Sequence, residues 1–362
     1  MTPSQPKKPV LKSHRKTDAE TTVVAVGNVR FGDGSYPVIA GPTAVESEEQ
    51  IMSVSSAIVE SGASMLRSGT YRAETSPYSY TGLGEEGLWL LEHAGHEAGL
   101  PTVTELLEPG LAEKVAGHVD MLEIGPDNMQ NFSLLTEAGA TGIPVLLHRG
   151  SAATIDEWLM AAEYILSQDN DNVVLCERGS RTFDPRTSDT LDISAVPVVQ
   201  QMSHLPVVID PAPAVGGEEI MRPLALAGRS VGADGLIVAV HPDPEKALAG
   251  NGGQIDLEDF AQLMESLGIP LLRDEIDRID REIVRLLAMR QQSSLEIGRL
   301  KAARGLKIRA RAREEELIAE VRQEAERAGL DPHFVEELME LVLRSSRAAQ
   351  ATVLTGKKEI AD

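Results

Sequence analysis

The sequence predicts an α/β protein: a (β/α)8 barrel of parallel strands followed by an all-α domain of three helices. Three observations carry this. The chain has 362 residues, more than one hydrophobic core normally organises, so two domains are expected. Eight short β-rich runs alternate with helical segments in the first two thirds, the pattern of βα units around a parallel sheet. From Ile269 the apolar period lengthens to three-four and stays there. The alternative to a barrel is an open doubly wound sheet, but no Gly-x-Gly-x-x-Gly follows the first strand.

Residues 1–22 are polar and basic without an apolar stretch, so a disordered arm is expected there and not a secretory signal. Residues 23–29 look hairpin-like, with Gly32-Asp33-Gly34 as the turn. The strands of the barrel, assigned to 23–268, are predicted at 38–40, 64–67, 102–104, 121–124, 145–148, 173–176, 207–209 and 236–240. Leu267-Gly268-Ile269-Pro270 then reads as a hinge. In the helical domain, 269–352, the residues Ile276, Ile279, Ile283, Leu286, Arg290, Ser293, Ile297 and Lys301 keep helical spacing, so one long helix is predicted. A second helix spans 311–328 and stops at Gly329; Asp331-Pro332 caps a third that reaches Gln350. Three helices enclose little core, which predicts a homodimer through this domain. Residues 353–362 read as a flexible tail.

Composition narrows the function. No apolar run approaches the ~18 residues of a membrane span, so no membrane partner is expected. Cys176 is the only cysteine, which excludes an internal disulfide and points to a reducing cytoplasm. The net charge of −22 lies wholly on residues 1–269, with 16 Lys+Arg against 38 Asp+Glu, while 270–350 carries 16 of each. Such a surface repels nucleic acid.

In the helical domain Arg290 occupies the apolar stripe and Lys301 shares its face three turns later. A buried guanidinium costs several kcal/mol unless it is paired. The pair is either a salt bridge or part of a site, and other polar groups could join it. Ser346 and Gln350 stand at i, i+4 on the third helix, and Arg313 with Glu314 opens the second.

In the order and spacing of these residues, 272–350 resembles the all-helical class of chorismate mutase. The resemblance implies conversion of chorismate to prephenate without cofactor or metal, in an intertwined dimer whose site takes Arg273 from the partner chain. It places Lys301 and Gln350 on the ether oxygen, Arg273 and Arg290 on the two carboxylates, Glu314 on the ring hydroxyl, and Arg313 and Ser346 beside the substrate. Ala310 departs from the pattern, since relatives often carry an acid there. The Claisen rearrangement is intramolecular, so such a site need only confine the reactive conformer and stabilise charge on the ether oxygen.

Across the barrel, Ile39-Ala40-Gly41-Pro42, Thr75-Ser76-Pro77-Tyr78-Ser79, Gly82-Leu83-Gly84-Glu85-Glu86-Gly87, Asn128-Met129-Gln130-Asn131-Phe132, Cys176-Glu177-Arg178-Gly179 and Thr190-Leu191-Asp192-Ile193-Ser194 resemble the short-form 3-deoxy-D-arabino-heptulosonate 7-phosphate (DAHP) synthases. That family condenses phosphoenolpyruvate with erythrose 4-phosphate using a divalent metal held by Cys, His, Glu and Asp. On those positions this chain has Thr43, Pro213, Ala239 and Gly250 or Asn251. Where the family has Lys-Pro-Arg stand Arg72-Ala73-Glu74; Asp127 replaces an arginine and His148 a lysine. Arg67 and Arg178 remain, and are expected in ion pairs. No metal site and no synthase activity are therefore expected of the barrel, which becomes a scaffold, a regulatory domain or a repurposed one.

Alternatives remain. The chain could be a bifunctional synthase-mutase, or Glu74, Asp127 and His148 could form a new polar set at the mouth, against the plainer reading as solvated rim residues. A non-enzymatic alternative is a regulatory subunit docking on another shikimate-pathway enzyme, and the barrel could support a higher oligomer. Cys176 reads as a small buried hydrophobe more readily than a nucleophile, and His241 as a loop cap or a phosphate contact.

Overall fold

The computed structural model describes residues 11–17, 21–72, 78–184, 189–212, 218–250, 253–304 and 311–355. The chain divides into two compact units, Met1–Glu275 and Ile276–Asp362.

The first unit opens with an antiparallel pair, β1 (Val24–Val26) and β2 (Val29–Phe31). Eight parallel strands follow: β3 (Val38–Gly41), β4 (Met65–Arg67), β5 (Thr102–Glu105), β6 (Met121–Ile124), β7 (Val145–His148), β8 (Val173–Glu177), β9 (Val207–Ile209) and β10 (Leu236–Ala239). They pair in sequence order, and β10 closes on β3 through Leu236↔Val38 to Ala239↔Gly41. The predicted (β/α)8 barrel is the observed fold. Around it lie α1 (Glu48–Glu60), α2 (Glu85–Ala98), α3 (Ala112–Ala116), α4 (Phe132–Ala140), α5 (Ile155–Leu166), α6 (Ala195–Met202) and α7 (Glu218–Ser230). Local chemistry sets their starts. Thr154 and Glu157 form a reciprocal capping box on α5, and the Ser47 hydroxyl accepts from Gln50 N on α1. On α5, Trp158 is fully buried and donates from Nε1 to the Leu147 carbonyl at 3.1 Å, which fixes the helix over β7.

Three expectations need correction. The turn of the first hairpin is Gly27-Asn28, not 32–34: the register Val26↔Val29 leaves a two-residue loop, and Gly27 takes φ +58°. Gly32 and Gly34 instead turn the chain away after β2, with φ of +88° and +91°. Part of the expected loose arm is docked: Ser13 is buried, Arg15 N donates to Met202 O, and Lys12 Nζ reaches Leu166 O. Nor does a hinge break the chain at Gly268-Ile269-Pro270. Helix α8 (Leu257–Arg304) runs through it. Phe260, Leu263, Met264 and Leu267 anchor its first turns in the barrel core, and the helix continues past Pro270 despite the lost backbone donor, which costs about 3 kcal/mol inside a helix.

Residues of α8 thus belong to both units. The second unit adds α9 (Arg311–Arg327) and α10 (Pro332–Thr355). Gly329 at φ +70° ends α9, and the Asp331 carboxylate accepts from His333 N at the start of α10. No helix among the described residues is long and apolar enough to cross a membrane.

Candidate active sites

The interior of the barrel is layered. Ile39, Met65, Val103, Met121, Leu146, Val174, Val208 and Ile237, one from each strand, pack together with Val24, Val26, Val29 and Phe31 of the hairpin. Side chains on one face of a strand recur every second residue. Two positions further along, the next inward layer is therefore Gly41, Arg67, Glu105, Glu123, His148, Cys176, Asp210 and Ala239. This layer lies at the C-terminal ends of the strands, where a barrel of this kind carries its chemistry.

Its centre is Glu123. Arg67 donates to it twice, from Nε to Oε2 and from Nη2 to Oε1, both at 2.7 Å. His148 Nε2 lies 2.8 Å from the same Oε1, close enough for an ion pair but not aligned as a hydrogen bond. His148 Nδ1 is buried without a hydrogen-bond partner among the described residues. Burial favours a neutral Glu123, but the attraction of Arg67 and His148 outweighs it and holds the carboxyl well below the usual range. Glu105 goes the other way: burial and then repulsion from Glu123 push it up, against Arg72 at 3.6 Å. Removing one partner of a buried pair such as Arg67 and Glu123 costs about 3–5 kcal/mol.

A second cluster stands beside it. Arg149 Nη1 donates to Glu177 at 2.8 Å and to Asp192 at 3.1 Å, and its Nε to the Ala153 carbonyl. Arg178 Nε is 3.9 Å from Asp210 Oδ2, a loose approach.

The residues singled out from sequence fall as follows. Arg67 is in a tight ion pair, with Glu123 as its acid. His148 faces Glu123 too, whereas Asp127 is exposed on the single turn Pro126–Asn128; Glu74 and Pro213 lie outside the described residues. Thr43 donates its backbone N–H to Gln254 Oε1 at 2.8 Å. Its side chain packs so closely under Gly250 that a Cβ there would lie 2.3 Å from Thr43 Oγ1. Ala239 is buried at the end of β10. Among the described residues no group of three or more His, Cys, Asp or Glu is placed to hold a metal ion. Cys176 is fully buried, and burial pushes its thiol well up, as for an inert core residue. His241 Nδ1 accepts from Asp243 N at 3.0 Å, which is the loop cap. Glu105, Glu123, Arg149 and Glu177 were not anticipated. The signal for Glu123 was present: a carboxylate inside the apolar run Met121-Leu122-Glu123-Ile124, two residues beyond an interior position.

In the helical unit α8 and α10 meet along a polar seam. Arg290 Nη1 donates to Ser346 Oγ, which in turn donates to the Val342 carbonyl at 2.9 Å. Two turns on, Gly298 lets Gln350 approach: a Cβ at Gly298 would lie 3.2 Å from Gln350 Cγ. Ser294, Ser346 and Gln350 are buried, and Gln350 Oε1 lacks a hydrogen-bond partner among the described residues. Lys301 is half-buried on the same stretch of α8. Glu314 pairs with Arg347 at 2.8 Å, a partner not foreseen, and lines a groove of about 630 Å³ between α9 and α10 with Arg322, Glu336 and Arg344. The side chains of Arg273 and Arg313 lie outside the described part.

A closed parallel barrel with its ionisable groups gathered at the strand ends, continued by a helical unit with a buried Arg-Ser-Gln seam, defines a two-part enzyme of the TIM-barrel class. The DAHP synthetase I family model matches residues 12–271, and the chain belongs to that family; the chorismate mutase type II model matches residues 272–351. Among curated relatives, the phospho-2-dehydro-3-deoxyheptonate aldolase of Thermotoga maritima is 45% identical over 260 residues, 72% of this chain and 77% of the relative. A 2-dehydro-3-deoxyphosphooctonate aldolase of Rhodopseudomonas palustris is 30% identical over 272 residues, 70% of this chain and 94% of the relative. The crystal structure of the Thermotoga maritima DAHP synthase superposes with a TM-score of 0.70 at 43% identity, covering 74% of this chain and 78% of that one. A truncated form of that enzyme gives 0.66 at 41% identity, covering 73% and 96%.

Proposed function

We propose that the helical unit is a chorismate mutase. The observation that carries this reading is the seam between α8 and α10, where a guanidinium donates to a buried serine one turn from a buried glutamine with an unused oxygen. Arg290 would bind a substrate carboxylate, with Lys301 and Gln350 at the ether oxygen, where negative charge develops as the C–O bond breaks. Hydrogen-bond donors fixed before the reaction stabilise that charge without reorganising. Arg273, supplied by the partner in a homodimer, Arg313, Glu314 and Ser346 complete the set.

For the barrel there are two readings. The family membership and the 45% identity to a heptulosonate-forming aldolase favour a bifunctional DAHP synthase and chorismate mutase over a catalytically silent barrel. They weigh against the expectation that synthase activity is absent. The substitutions at Thr43, Ala239, Asp127 and His148 favour the other reading, in which the barrel is a scaffold, regulatory or repurposed domain. A paired assay on the purified full-length chain separates them: chorismate consumption, and heptulosonate formation from phosphoenolpyruvate and erythrose 4-phosphate, before and after chelation and with manganese restored. Both readings require chorismate to disappear, and a sample that leaves it intact overturns the mutase assignment. Metal-dependent heptulosonate formation establishes the bifunctional enzyme.

A further inference from the structure

Among the described residues, the inward layer at the mouth of the barrel already pairs its arginine with an acid of the same layer. Of the eight residues in its inward layer, Arg67 is the one arginine, and both donors on the guanidinium edge that faces Glu123 are engaged at 2.7 Å. The same carboxylate lies 2.8 Å from His148 Nε2, so one buried acid faces both side chains. Glu105 and Asp210, in the same layer, act electrostatically on Arg67 as well. An incoming phosphate or carboxylate would have to displace a fixed bidentate acid and sit beside two more, which is repulsion built against anions. Among the described residues no three His, Cys, Asp or Glu side chains are placed to hold a divalent cation either. Thr43 Oγ1 is packed under the Gly250 backbone, and Ala239 offers no side-chain ligand atom, while such cations require several oxygen, nitrogen or thiolate donors converging on one point.

We propose that Glu123 is the specificity-determining residue of the barrel: by holding Arg67 and His148 it closes the mouth to phosphorylated carboxylic acids, so that this barrel binds neither that substrate class nor a divalent metal. The inference does not depend on the mutase reading, and it stands against the bifunctional one. It is tested by calorimetric titration of the full-length chain with phosphoenolpyruvate and, separately, with manganese, for wild type and Glu123→Gln. Glutamine keeps the shape and one acceptor for Arg67 but removes the charge. Wild type is expected to show no saturable binding of either probe, and Glu123→Gln to bind phosphoenolpyruvate at least about tenfold more tightly. Saturable binding of phosphoenolpyruvate or of one manganese per chain by wild type overturns the proposal, as does unchanged affinity in a folded Glu123→Gln. Should circular dichroism show that variant unfolded, the wild-type titrations decide alone. Chorismate turnover measured on the same samples reports on the helical unit independently.

Discussion

Arg290 was conspicuous in the sequence because a guanidinium sits where a helix stripe calls for leucine, and in the structure it has found a hydroxyl, Ser346. Its position on the seam was legible because both residues lie at helical spacing on predicted helices. Glu123 shows the opposite case. Its contacts with Arg67 and His148 join β4, β6 and β7, and such a cluster depends on barrel closure and strand stagger, which no local pattern encodes. Lys301 stands on the same stretch of α8 as Arg290, and on the proposed mutase reading, which puts it at the developing oxyanion, losing it costs roughly 100- to 1000-fold in kcat. Lys301→Ala is therefore expected to lower chorismate turnover by that order while circular dichroism stays unchanged. An unaltered rate would remove Lys301 from the mechanism.

Between elements, the start of β9 is tied to the turn before β10 by Asp234, whose Oδ2 accepts from Val207 N at 2.8 Å. Burial raises this carboxyl to about 6, against the lowering effect of that hydrogen bond. The folded form thus binds its proton more tightly than the unfolded chain does. Stability is highest with the group protonated and falls as pH rises from about 3.8 to 6, by roughly 3 kcal/mol in all. Asp234→Asn should flatten this part of the profile, read as the difference between urea midpoints of variant and wild type at pH 4.5 and 7. A difference independent of pH would refute the assignment. Strand positions themselves were legible to within a residue or so because short β-branched runs bounded by turns have few other solutions. The hairpin turn was not, since three glycines compete within eight residues and only pairing with β1 decides which one closes the loop.

For the molecule as a whole, the helical unit leaves a long apolar stripe in solvent: Ile276, Ile279, Ile283, Leu286 and Leu287 on α8, with Leu338 and Leu341 on α10, are all exposed. Apolar surface of this extent on one unit marks an interface, and on the proposed mutase reading, in which a partner supplies Arg273, a second copy of the chain is its occupant. Sedimentation equilibrium should give a dimer. Ile283→Lys combined with Leu287→Lys should yield a monomer with mutase activity lost and the barrel's thermal transition retained; a dimer that survives both changes would place the interface elsewhere.

The continuity of α8 bears on how the chain acquires its shape. Starting a helix is the unfavourable step, because several residues must be ordered before the first hydrogen bond repays them, whereas adding residues to an existing end is nearly free. The turns around Phe260 and Leu267 are ordered by barrel packing, so they serve as a ready nucleus from which the segment bearing Arg290 and Lys301 can grow. Cutting the helical unit out at residue 272 would discard that nucleus, and the excised peptide would have to begin its longest helix unaided.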